Sequence, residues 1–168
     1  ILLIKMSKIN SIKNYYLIIL LICIVSLLSA VYIEYVLNIR PCTLCLYQRV
    51  PYIISIFICF FGYNYYKNLY WLILLTIVFI ISSFLSGYHV GIENNIFEEF
   101  SGCTGNNLNI TDKLELLKSL NNSMPNCKNV DFKLMGLSLA TINFIISIVI
   151  IFISIKYFIN EKNRQTKT

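Results

Sequence analysis

Residues 40–66 read RPCTLCLYQRVPYIISIFICFFGYNYY: a C-x-x-C pair between two arginines, followed at once by a long apolar run. That run is close to the roughly 20 residues a helix needs to cross a bilayer. The stretch therefore sets an architecture and raises a question, because it puts reactive sulfur at the end of a membrane helix. Working outward, three more runs of the same kind appear. Together the four predict spans over residues 15–37, 46–66, 69–88 and 134–155. Tyrosines and Trp71 crowd the ends of these runs, as aromatic residues do at headgroup depth.

Composition agrees with a membrane protein. Of the 168 residues 57% are hydrophobic and 13% charged, against about 25% charged in an average soluble domain. The mean hydropathy is +0.70. Too little polar surface remains to cover a water-soluble globule, so the chain reads as one integral membrane domain, residues 1–168, of the all-α class. The formal net charge of +6 lies mostly in the tails, which argues against a nucleic-acid-binding stripe. Met6 reads as the start of translation. The first apolar run reads as a retained span, since no small-residue cleavage site follows it.

Four spans put both termini on one side. The tails and the turn at Lys67 hold eight basic residues and one acid, Glu161. The opposite side holds Arg40 and Arg49 near the first loop, with four lysines against six acids in the second. The positive-inside rule then makes the termini cytoplasmic and the loops at about 38–45 and 89–133 external, which in a bacterium means periplasmic. Cys42, Cys45, Cys103 and Cys127 fall in those loops and share the compartment where disulfides persist. Cys23 and Cys59 fall inside spans and read as small buried apolar residues. In the second loop Ile110, Leu114, Leu117 and Leu120 make one apolar stripe behind a capping-box spacing at Asp112 and Glu115, predicting a short helix there.

The C-x-x-C spacing admits several chemistries. In a redox pair one thiolate is commonly stabilised by a cation or a helix N-terminus. A second span beginning near Leu46 would set Cys45 at that terminus, with Arg49 one turn on and Gln48 beside it as a hydrogen-bond donor. Such donors would also suit the carbonyl oxygen of a lipid-soluble quinone. A zinc half-site is an alternative, but those sites usually carry a second close pair, and Cys103 and Cys127 stand 24 positions apart. A purely structural disulfide between cysteines three apart would constrain almost no chain entropy. Arg49 alone could be a snorkelling charge, and His89 alone an interface histidine. Glu34 reads either as a snorkelling charge or as a partner for Arg40 or Arg49. Glu93, Glu98 and Glu99 read as a solvated face.

With those residues in view, the chain resembles the DsbB family, bacterial inner-membrane thiol oxidases that pass electrons from a periplasmic thioredoxin-like protein to quinone. The resemblance rests on PCTLCLYQR at Pro41–Arg49, on GYHVGIE with His89 ahead of SGCTG, and on NCKNVDFKLMGLSLATINF after the fourth cysteine. It implies a four-transmembrane-helix bundle with two periplasmic loops, and a quinone (ubiquinone or menaquinone) as cofactor. It implies a DsbA-like protein as partner and catalytic roles for Cys42, Cys45, Cys103 and Cys127. By the same resemblance, Cys42 pairs with Cys45 and Cys103 with Cys127 at rest. The partner attacks Cys103, Cys127 engages Cys42, and Cys45 is left as a thiolate beside the quinone. Arg49, Gln48 and His89 line the quinone site, and no metal is expected. A vitamin K epoxide reductase-like enzyme is an alternative, although there the C-x-x-C comes late in the chain. A non-enzymatic four-span protein with structural disulfides is another, but the large loop lacks the Cys-Cys-Gly signature of tetraspanins.

Overall fold

In the computed structural model, the description covers residues 2–66, 68–98, 127, 133–134 and 136–165, with side chains from residue 12 to 163 within those ranges except at 133–134. Cys103 and the short helix expected over 109–120 lie outside the described residues. Among the described residues four helices carry the fold: α1 (Leu2–Tyr35), α2 (Thr43–Asn64), α3 (Leu69–Glu93) and α4 (Leu139–Gln165). Each contains a segment long and apolar enough to cross a membrane. A two-stranded antiparallel hairpin, β1 (Lys133–Leu134) and β2 (Leu137–Ser138), leads into α4.

The helices pack in chain order, α1 on α2, α2 on α3 and α3 on α4. Their shared interior holds Tyr16, Ile19, Cys23, Cys59, Leu75 and Phe79, all nearly inaccessible. Ser55, Ser82, Ser86, Ser147 and Ser154 are also buried there. Small side chains let helix backbones approach closely where lipid supplies no hydrophobic drive between helices. Outside, the pattern inverts that of a soluble protein: Leu17, Leu28, Phe57, Phe84 and Phe152 are each at least half exposed. A belt of this kind is satisfied by hydrocarbon and not by water.

Of the helix ends that differ from the hydropathy reading, three have a visible local cause. α2 begins at Thr43, not near Leu46, because Cys42 caps it in extended conformation and its sulfur accepts from the Cys45 backbone N–H at 3.3 Å. Cys42, rather than Cys45, therefore occupies the N-terminal position. α3 runs one turn past residue 88 and stops at Glu93, where Asn95 takes a left-handed backbone with φ of 58°. His89 is thus a helical residue. α4 starts at Leu139 and not at 134, because Ser138 Oγ accepts from the Thr141 N–H at 3.1 Å and caps it. Gly136, at φ 83°, lies in the hairpin turn ahead of it, where a side chain would be strained.

Candidate functional site

Pro41 cannot continue a helix backward, which favours an extended Arg40 and makes Cys42 the first residue able to cap α2. From that cap, the first turn of α2 carries Cys45 and the second carries Gln48 and Arg49. The Cys42 and Cys45 sulfurs lie 2.8 Å apart, as two thiols in contact rather than a covalent bond. On α3, His89 sits across from them: its Nε2 is 3.8 Å from Cys42 Sγ and its Nδ1 3.1 Å from Gln48 Nε2. With the Gln48 amide so placed, its N–H donates to Nδ1 and leaves the ring hydrogen on Nε2, facing the Cys42 sulfur. Gln48 and His89 are only 7% and 3% exposed.

Glu93, one turn beyond His89, brings Oε1 to 3.7 Å from Nε2 with its side chain 11% exposed. The sequence reading of Glu93 as part of a solvated face is therefore corrected. The i, i+4 spacing to His89 was the available signal, since it puts both on one helix face. Arg49 makes its close contact with Glu34 of α1, Nη1 to Oε2 at 2.6 Å, both side chains about a quarter exposed (23% and 25%). Of the partners left open for Glu34, Arg49 makes this contact. Cys127 is disulfide-bonded, 1% exposed, and packs in one buried cluster with Cys42, Leu44 and Ile92.

Electrostatics favour the thiolate at Cys42. The hydrogen bond from Cys45 pulls its pKa below the usual thiol range; burial opposes this, and His89 and the Cys45 backbone N–H reinforce the lowering. The helix N-terminus acts in the same direction.

Cys42, Cys45, Gln48, Arg49, His89 and Cys127 all border one cavity of about 220 Å³ between α1, α2, α3 and α4. Drug-sized ligand pockets start at roughly 300 Å³, so the space suits a single substituted ring. Its remaining wall is mostly apolar, including Leu27, Ile33, Ile142 and Ile146. Ile146 is shared with an apolar groove that follows α1 and α4 toward the other end of the bundle. A flat ring bearing carbonyl oxygens and an aliphatic chain fits this donor set and this wall. Sequence reading missed Tyr52 and Asn143, which meet across the cavity floor with the phenol donating to Asn143 Oδ1 at 2.5 Å. Single polar residues inside apolar runs gave no pointer to each other.

A family model described as disulfide bond formation protein DsbB matches residues 12–156. The chain is also 30% identical over 154 residues to an uncharacterized protein, RP370, of Rickettsia prowazekii (strain Madrid E), a match covering 88% of this chain and 89% of that one.

Proposed function

The chain belongs to the DsbB family of disulfide bond formation proteins, and we propose that it reoxidises a periplasmic DsbA-like thiol protein and delivers the electrons to a membrane quinone. The observation that carries this reading is the shared cavity, in which a C-x-x-C pair, two polar donors and a cation meet an apolar wall inside a membrane bundle. On this reading the protein lies in the bacterial inner membrane with its termini in the cytoplasm and its cysteine loops in the periplasm.

The proposed relay conserves electrons and protons. A thiolate of the reduced partner attacks Cys103, breaks the Cys103–Cys127 disulfide and releases Cys127. Cys127, buried against Cys42, then attacks the Cys42–Cys45 disulfide at Cys42 and expels Cys45 as a thiolate. The partner's second thiol resolves the mixed disulfide and releases Cys103, which attacks the Cys127–Cys42 disulfide at Cys127, restores Cys103–Cys127 and expels Cys42. The partner loses two electrons and two protons overall, and these now reside in the reduced Cys42–Cys45 pair. A bound quinone supplies the two-electron, two-proton acceptor that returns Cys42 and Cys45 to a disulfide. Gln48 fixes the His89 ring, and His89 Nε2 holds a proton toward the Cys42 sulfur. Arg49, tethered by Glu34, supplies positive charge at the cavity wall. A lowered Cys42 pKa stabilises the reduced pair and so makes its disulfide a stronger oxidant, each roughly 30 mV being worth about 1.4 kcal/mol.

The test is quinone reduction followed by absorbance, with purified protein, a reduced thioredoxin-like substrate and a soluble quinone. Cys42→Ser and Cys45→Ser should abolish turnover. Cys103→Ser should abolish partner oxidation while leaving the Cys42–Cys45 pair reducible by a small dithiol. Unchanged rates in the first two variants would overturn the reading.

A further inference from the structure

Cys42 Sγ, Cys45 Sγ and His89 Nε2 lie within 4.8 Å of one another, and Glu93 Oε1 stands 3.7 Å from that same Nε2. Two sulfurs and one imidazole nitrogen thus converge, and the nearly buried Glu93 carboxylate stands against that nitrogen without joining the three-atom cluster. We propose that the reduced Cys42–Cys45 pair, with His89 as third ligand and Glu93 standing beside it, is a binding site for a zinc-type cation, and that the metal holds the pair out of the relay. The binding rests on the geometry alone; the inhibitory consequence rests on the oxidase reading.

The separations can be compared with a tetrahedral site. Zinc bonds of about 2.3 Å to sulfur and about 2.0–2.1 Å to nitrogen require S···S near 3.8 Å and S···N near 3.6 Å. The structure has 2.8 Å for Cys42–Cys45 and 3.8 Å for Cys42–His89, with all three ligand atoms within 4.8 Å of one another. The sulfur-to-nitrogen separation is within about 0.3 Å of the requirement. The sulfurs need to part by about 1 Å, a small rotation of one cysteine side chain. Coordination through Nε2 moves the ring hydrogen to Nδ1, where a rotated Gln48 amide accepts it through Oε1. A hydrogen bond on the far ring nitrogen is how proteins orient a ligating histidine.

Two thiolates select zinc-type cations over magnesium or calcium, which prefer oxygen. Both sulfurs must be deprotonated, so binding releases the remaining thiol proton or protons. It also requires reduction, because a disulfide offers no thiolate. The site therefore exists only after electrons have entered the pair and before they leave it.

The test uses the full chain in detergent, reduced and then freed of reductant, titrated with cobalt(II) alone as a spectroscopic stand-in for zinc. One equivalent should give thiolate-to-cobalt charge-transfer absorption and tetrahedral visible bands, both erased by one equivalent of zinc. The same preparation with the pair oxidised should show neither, a comparison that needs no variant to fold. Cys42→Ser and His89→Ala should weaken binding at least tenfold, and His89→Cys should restore it. Cys103→Ser combined with Cys127→Ser should keep the spectrum. Absence of charge transfer in the reduced chain, its survival in Cys42→Ser, or its loss in the doubly substituted loop variant would each overturn the site. Quinone reduction measured in chelator separates the two readings. Normal turnover without a cobalt spectrum removes the metal site, and a cobalt spectrum without turnover removes the oxidase reading.

Discussion

Arg49 Nη1 lies 2.6 Å from Glu34 Oε2, tying the second turn of α2 to the C-terminal end of α1 across the cavity wall. Both side chains are partly exposed, so the pair contributes little to stability, on the order of 1 kcal/mol or less after screening. Its effect is positional. Glu34→Gln should leave the melting temperature nearly unchanged while raising the KM for a soluble quinone several-fold, because the guanidinium loses its charged anchor. Thiol exchange between the partner and Cys103 should proceed at the normal rate. A large loss of stability with unchanged KM would show instead that the pair is structural.

His89 Nε2 faces the Cys42 sulfur at 3.8 Å, and hydrogen bonds to charged groups are worth about 1.5–3 kcal/mol. Replacing His89 by Phe should therefore slow alkylation of Cys42 in the reduced protein about tenfold or more at mildly acidic pH. Gln48→Leu should produce a smaller slowing, since Gln48 acts only by fixing the ring. Mass spectrometry of the labelled peptide reads the outcome. Equal rates in wild type and His89→Phe would detach the histidine from the thiolate.

The lowered Cys42 pKa has a signed consequence for the redox pair. Thiolate stabilisation of the folded, reduced form is full above the ordinary thiol range, near 8.5. It is lost as pH falls through the lowered value. Between those limits the reduced pair carries one thiolate and one thiol, so two electrons bring one proton. The Cys42–Cys45 potential should then change by about 30 mV per pH unit around neutrality, where an ordinary dithiol changes by roughly 60 mV. Equilibration with a glutathione buffer in chelator, in protein carrying Cys103→Ser and Cys127→Ser, measures the slope. A slope near 60 mV would mean that both sulfurs are protonated at neutral pH.

Hydropathy made the four helices legible, because a bilayer demands long apolar runs whatever their neighbours do. The helix ends were less legible, being set by single hydrogen bonds. Nothing in the hydropathy of residues 134–138 announces that Ser138 caps α4, or that Cys42 rather than Cys45 caps α2. The site was legible to the extent that its members share a short motif: Cys42, Cys45, Gln48 and Arg49 stand within two helical turns. His89 entered through a resemblance, and its tie to Gln48 depends on how α3 packs against α2. Glu93 looked solvated beside Glu98 and Glu99. Only continuation of α3 through residue 93 turns its carboxylate back toward His89.

The α1–α2 contact offers a test of packing independent of the chemistry. A Cβ added to Gly62 would stand 2.6 Å from Cε1 of Tyr16, well inside van der Waals contact, and Tyr16 is itself only 1% exposed. The ring has no room to retreat, because the core around it holds Ile19, Cys23 and Cys59. Gly62→Ala should therefore cost about 1–3 kcal/mol by overpacking, read as faster unfolding in a denaturing detergent titration. Shortening the opposing side chain, with Tyr16→Leu added, should recover part of that loss, whereas Tyr16→Phe should not, since the clash is with ring carbons and not with the hydroxyl. The two substitutions lie at the opposite end of α2 from Cys42 and Cys45, so the alkylation rate of Cys42 should be the same in every member of the series. If Gly62→Ala proved neutral, α1 and α2 would have to be more loosely apposed at Tyr16 than the 2.6 Å approach implies.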